Sequence, residues 1–122
     1  MVFDTMPSNW SAVQAGALRA IGVASEQRAP GLENIASISD ALPGYDVTTW
    51  EGILAPAGTP PAIADKIATA IQRIAQDPNF AKRMLDIGAV VAASTPVDFS
   101  TFIHNDYVKW KRVVSDAGLK IE

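Results

Sequence analysis

The chain has 122 residues, enough for one domain with a core and too few for two ordinary domains side by side. With 48% hydrophobic and 19% charged residues and eight each of Gly and Pro, it has the composition of a folded globular protein, which excludes a disordered chain. Thirteen acidic against ten basic residues leave no concentrated basic face, which disfavours nucleic acid as a partner, and the absence of cysteine excludes disulfides, thiolate zinc sites and cysteine nucleophiles.

Met1 to Thr5 carries neither the basic nor the apolar region of an export signal, and no run approaches the ~20 apolar residues of a membrane span. As written, the chain is expected to be neither exported nor membrane-embedded. Val2-Phe3-Asp4 reads as the end of a strand with no element before it, so the chain is expected to begin in mid-fold. Pro7 to Ala15 predicts a short helix with Gly16 just past its end. Leu18 to Ser25 reads as a mostly buried strand in which Gly22 allows close backbone approach. From Glu26 to Gly44, Arg28, Pro30, Gly31, Pro43 and Gly44 surround the apolar run Ile35-Ala36-Ser37-Ile38, predicting a connector with one or two helical turns.

Tyr45 to Ala55 is β-branched and aromatic, with Val47, Thr48, Thr49, Trp50, Ile53 and Leu54, and predicts a long strand that can bulge at Gly52. In the turn that follows, Gly58 supplies positive φ, Thr59 is the expected cap and Pro60 the expected first helical residue. Ile63, Ile67, Ala70, Ile71 and Ile74 form the apolar face of the ensuing helix. Asp77-Pro78 starts another helix, bearing Phe80, Met84, Leu85 and Ile87 and closed by Gly88. Ala89 to Ala93 predicts a short strand, and Thr95-Pro96-Val97-Asp98 a variant capping box. The long helix behind that box carries Phe99, Phe102, Ile103, Trp110, Val113, Val114 and Ala117 on one face and ends at Gly118.

The order of elements predicts an α/β fold without internal repeats, and its apolar helix faces call for a broader sheet than these strands supply. Catalytic motifs are absent. His104, the sole histidine, is read as a helix-surface residue, because one imidazole without a convergent partner does not make a site. Asp4 ends an apolar strand and precedes a helix started by proline, the place where α/β folds bind ligands; Thr5 and Ser8 add hydroxyls at the same mouth. The competing reading is that Asp4 or Thr5 only caps the helix. Trp10, Trp50 and Trp110 are read as core or interface residues, and Lys109-Trp110-Lys111-Arg112 as a solvated face, since Asp106 and Asp116 share its helix.

Taken together, these strings resemble a known family. Val2-Phe3-Asp4-Thr5-Met6-Pro7-Ser8, Gln14-Ala15-Gly16-Ala17-Leu18-Arg19-Ala20-Ile21-Gly22-Val23-Ala24-Ser25 and Leu42-Pro43-Gly44-Tyr45-Asp46-Val47 are similar to stretches of the Bug family, the extracytoplasmic solute receptors of tripartite tricarboxylate transport systems. Trp50-Glu51-Gly52-Ile53-Leu54-Ala55-Pro56-Ala57-Gly58-Thr59-Pro60, Asp77-Pro78, Ser94-Thr95-Pro96 and Trp110 through Gly118 resemble its C-terminal portion in the same order.

The resemblance implies part of a two-lobed, clamshell periplasmic-binding fold of type II. Residues 1–25 would be the end of the second lobe and the return crossover, and residues 26–122 the connector and the C-terminal part of the first lobe. It further implies a binding protein and not an enzyme, with no cofactor. Its ligand would be a small organic acid or amino acid, handed to transporter membrane subunits and contacted by Asp4, Thr5 and Ser8. The implied location is periplasmic, or cytoplasmic if the chain is expressed as written. The alternative is a truncated paralogue whose uncovered helix faces and sheet edges make it a self-associating, homo-oligomeric structural domain.

Overall fold

The helices form where local chemistry places them. The computed structural model describes residues 1–28 and 32–119, so the expectation attached to Pro30 and Gly31 lies outside the described residues. Helix α1 spans Met6–Gln14, α2 Pro61–Ala75, α3 Pro78–Asp86 and α4 Pro96–Asp116, each with a proline in its first turn, where a missing N–H costs nothing. Asp77 caps α3 by accepting the Asn79 N–H at 2.8 Å. Thr95 caps α4 by accepting the Asp98 N–H at 3.1 Å while its own hydroxyl donates to Asp98 Oδ2 at 2.6 Å. Thr59 takes a different part: its hydroxyl donates to Pro56 O at 2.8 Å, staying within the turn, and Pro60 occupies the cap position, so α2 starts one residue later than expected.

The C-termini are closed equally well. After α3, Gly88 adopts φ 79°, its N–H donates to Leu85 O at 2.9 Å, and the Ala89 N–H donates to Met84 O at 2.8 Å, a complete Schellman motif. The ends of α1 and α4 show the same pair of bonds, from Gly16 to Val13 and Ala17 to Ala12, and from Gly118 to Ser115 and Leu119 to Val114. The connector holds one 3₁₀ turn, Ile38–Asp40, with a capping box between Ser37 and Asp40. Among the described residues, no helix is long and apolar enough to cross a membrane.

The expected α/β sheet is the main correction. The backbone runs without turn or bend through 1–5, 19–22, 45–56 and 89–95, but none of these segments forms a strand among the described residues. What exists is a rudiment. Val23 bridges Ser37 in parallel, with Val23 N–H donating to Ala36 O and Ile38 N–H to Val23 O, both at 2.9 Å. On the other side, the Val47 N–H donates to Ala24 O at 2.9 Å. A strand needs a neighbour that fills its ladder, and along most of their length these segments have none. The same shortage shows in the core: the buried apolar residues among those described are Val23 and Leu32, with Ser37 the buried polar one. Helix contacts are sparse too, α2 against α3 being the main one.

Candidate functional site

Asp4, Thr5 and Ser8 do come together, at the start of α1. The Thr5 hydroxyl and Ser8 hydroxyl are 2.7 Å apart and share one hydrogen bond. Asp4 Oδ1 accepts the Thr5 N–H at 2.7 Å, and Oδ2 accepts the Asn9 side-chain amide at 2.7 Å. The Asn9 bond, and then the Thr5 N–H, hold the Asp4 carboxyl below its ordinary value of 3.8. Neither Asp4 nor Thr5 caps the helix in the usual sense, since the Thr5 side chain makes no cap bond and Asp4 accepts the N–H of Thr5 itself. Asp4 and Ser8 are exposed and Thr5 half-buried, and the cluster is mixed in character, with a carboxylate, two hydroxyls and, close by, the first-turn N–H groups of α1, which the Thr5 side chain does not cap. Such a set can bind an ammonium through Asp4 and accept a polar oxygen through the hydroxyls or helix N–H groups.

Asn9 is the member that sequence reasoning missed. Its signal was present: a side-chain amide in the first turn of a helix lies within reach of an acid placed just before that helix. Helix α1 is in turn seated on the end of α3. An added Cβ on Gly88 would lie 3.1 Å from Trp10 Cβ and 3.2 Å from the Met6 carbonyl carbon, so the absence of a side chain there lets the two meet.

A second constellation fixes the 45–56 segment to α4. Trp50 meets Phe99 and Phe102 edge-on, at 5.5 Å between centroids in both cases, while the two phenylalanine rings stack at 6.4 Å. The Trp50 indole N–H donates to Asp106 Oδ2 at 3.0 Å, and Lys109 pairs with Asp106 at 3.2 Å while donating to Asp46 O at 3.3 Å. The indole bond, ahead of the Lys109 contribution, holds the Asp106 carboxyl below its ordinary value. Every polar group here is engaged in holding backbone to helix. Trp50 thus packs as an interface residue. Of the basic run of α4, read as a solvated face, Lys111 and Arg112 are exposed, Arg112 paired with Asp116, whereas Lys109 is half-buried in the contact with Asp46 and Asp106.

His104 is exposed on α4. Among the described residues, no group of three His, Asp or Glu could hold a metal ion. A shallow depression of about 370 Å³, lined by Gln72, Ala75, Gln76, Val91 and Ala93, has no charged group in its wall and includes none of Asp4, Thr5 and Ser8.

Residues 1–119 match the family described as the tripartite tricarboxylate transporter family receptor. Among curated proteins, the chain is 28% identical over 121 residues to the UPF0065 protein in the tcbD-tcbE intergenic region of a Pseudomonas species, covering 98% of this chain and 36% of that protein. It is 30% identical over 116 residues to the UPF0065 protein in the clcB-clcD intergenic region of Pseudomonas knackmussii, covering 93% of this chain and 69% of that protein. Protein BugT of Bordetella pertussis is 24% identical over 120 residues, covering 98% of this chain and 37% of that protein. The chain thus spans about a third of the length of two of these relatives and about two-thirds of the other.

Proposed function

The chain belongs to the tripartite tricarboxylate transporter receptor family, and from that membership we propose that it forms the C-terminal portion of an extracytoplasmic solute-binding protein. Its parent fold binds a small carboxylate or amino acid between two lobes and presents it to transporter membrane subunits, without catalysis. The observation that carries this reading is the family match over residues 1–119. In this reading residues 1–25 close the second lobe and cross back, residues 26–122 are the connector and the C-terminal part of the first lobe, and the location is periplasmic. Asp4, Thr5 and Ser8 face the ligand. Each Asp4 oxygen accepts one hydrogen bond and keeps capacity for another, so the carboxylate can take a ligand ammonium or an ordered water without surrendering its local partners.

The reading is tested by thermal melting in the presence of a panel of dicarboxylates, tricarboxylates and amino acids, on the chain alone and on the chain joined to the rest of a family receptor. A ligand at one hundred times its Kd stabilises by about 2.7 kcal/mol. The cognate solute is expected to shift the melt, and Asp4→Asn to remove the shift while leaving the ligand-free melt nearly unchanged. A flat response across the panel in both forms overturns the reading. The exposed apolar faces favour one other reading, a self-associating structural domain, which light scattering would support by showing a stable homo-oligomer that ignores every solute.

A further inference from the structure

Asp4, Asp40 and Asp106 all keep their carboxyls below the ordinary value of 3.8, but they are not held alike. Asp40 sits on the Arg28 guanidinium at 2.6 Å and Asp106 on Lys109 Nζ at 3.2 Å, so a cation shares each of those places. Asp86 and Asp116 likewise take Lys82 and Arg112. At Asp4 the donors are neutral, the Asn9 amide and the Thr5 N–H, each at 2.7 Å. Among the described residues, no cation lies within ion-pair distance of Asp4. Neutral donors favour the ionised carboxylate and fix its direction without cancelling its charge. The Thr5 and Ser8 hydroxyls beside it bond to each other at 2.7 Å and carry no charge to offset it. A full negative charge is therefore left for whatever faces the cluster, with a spare accepting position on each oxygen.

We propose that Asp4, oriented by Asn9, makes the site selective for carboxylic acids that bear an ammonium group, that is for amino acids, over the same acids without one. The inference rests on the receptor reading and deepens it by naming the solute class. An unpaired unit charge attracts an ammonium and repels a carboxylate, so the sign of the interaction reverses between an amino acid and a dicarboxylate turned to the same place. An acid already matched by a cation, as Asp40 is by Arg28, has no such preference to give. Asn9 is the positioning residue. Its amide fixes Oδ2 while the Thr5 N–H fixes Oδ1, so the spare accepting positions of both oxygens keep one direction without a charged partner that would compete with the solute.

The test is calorimetric titration of the chain joined to the rest of a family receptor with matched pairs of acids: aspartate and succinate, leucine and isocaproate, arginine and δ-guanidinovalerate. Members of a pair differ only in the ammonium, and citrate serves as a further solute without one. The pair that binds is expected to favour its ammonium-bearing member by about tenfold or more. Asp4→Asn keeps the shape and an acceptor for the Thr5 N–H, and is expected to weaken that member until the two lie within about threefold of each other. Asn9→Leu, which leaves Asp4 charged but loosely held, is expected to weaken the ammonium-bearing member several-fold without reversing the order, and Asn9→Gln to restore part of the loss. The ratio within a pair is read on the parent protein, so it decides the proposal even where a variant fails to fold. Equal affinity within the pair, tighter binding of citrate or of the ammonium-free member, or a parallel loss of both members in Asp4→Asn, as a carboxylate that only orders water would give, overturns the proposal and leaves the receptor reading standing. Absence of binding by every solute overturns both.

Discussion

The indole N–H of Trp50 donates to Asp106 Oδ2 at 3.0 Å across 56 positions of sequence, and together with the Lys109 bond to Asp46 O it ties the 45–56 segment to α4. Asp106 is the more enclosed partner of its ion pair, with 15% side-chain exposure against 40% for Lys109, so losing the donor leaves a poorly hydrated carboxylate. Trp50→Phe keeps an aromatic edge against Phe99 and Phe102 but removes the N–H. It is expected to lower the melting temperature by a few degrees. In a double-mutant cycle with Asp106→Asn, the second change should cost less once the first is made. Additive effects would show that the bond holds nothing.

Gly52 sits beneath the Phe99 ring, where an added Cβ would overlap Cζ and lie 2.7 Å from Cε1. Gly52→Ala is therefore expected to destabilise by about 1–3 kcal/mol, the usual cost of overpacking. The partner variant Phe99→Leu vacates the space, so the double variant should lose less than the sum of the single losses in urea unfolding. Equal additive losses would mean that the cost lies in the backbone at position 52 and not in the ring.

Acid should loosen the same anchor. The folded carboxyls of Asp106 and Asp40 lie below their ordinary value of 3.8, Asp106 through the Trp50 indole and Asp40 through the Arg28 guanidinium at 2.6 Å with help from the Ser37 N–H. Groups depressed on folding contribute stability that is complete above the unfolded value and is lost as pH falls below 3.8 through the folded value. Melting temperature is thus expected to hold steady from neutral pH down to about 5 and to fall below 4. In the double variant Asp40→Asn with Asp106→Asn, that fall should be shallower. An unchanged acid limb would place the linkage elsewhere.

The seat of α1 on α3 depends on Gly88, at φ 79° and within 3.1–3.3 Å of Trp10 and Met6 for any added Cβ. Gly88→Ala combines a left-handed backbone, costing about 1–2 kcal/mol, with a clash that pushes α1 away. Proteolysis near residues 1–17 is expected to speed up several-fold, together with the loss of stability. A stability loss with no change in that cleavage would confine the effect to the Schellman turn.

The helices were legible in the sequence because the information for them is local. Asp77-Pro78 and Thr95-Pro96 with Asp98 start α3 and α4, and Gly88 and Gly118 end them, with every bond reaching no farther than a turn. The strands were legible as extended segments and illegible as a sheet. Val90 or Ile53 can be assigned an extended backbone from β propensity, but a ladder needs a partner, and propensity does not reveal whether the partner is in the chain. At the candidate site, Asp4, Thr5 and Ser8 were placed together by the strand-to-helix junction. The part of Asn9 depended on a side-chain reach that spacing does not specify.

The central claim is that these residues belong to a solute receptor. Calorimetric titration of the chain joined to the rest of a family receptor, with dicarboxylates, tricarboxylates and amino acids, tests it most directly. The account predicts saturable one-to-one binding of one solute class, lost on Asp4→Asn. A folded protein that releases no heat with any member of the panel, and shows no melting shift, would contradict it.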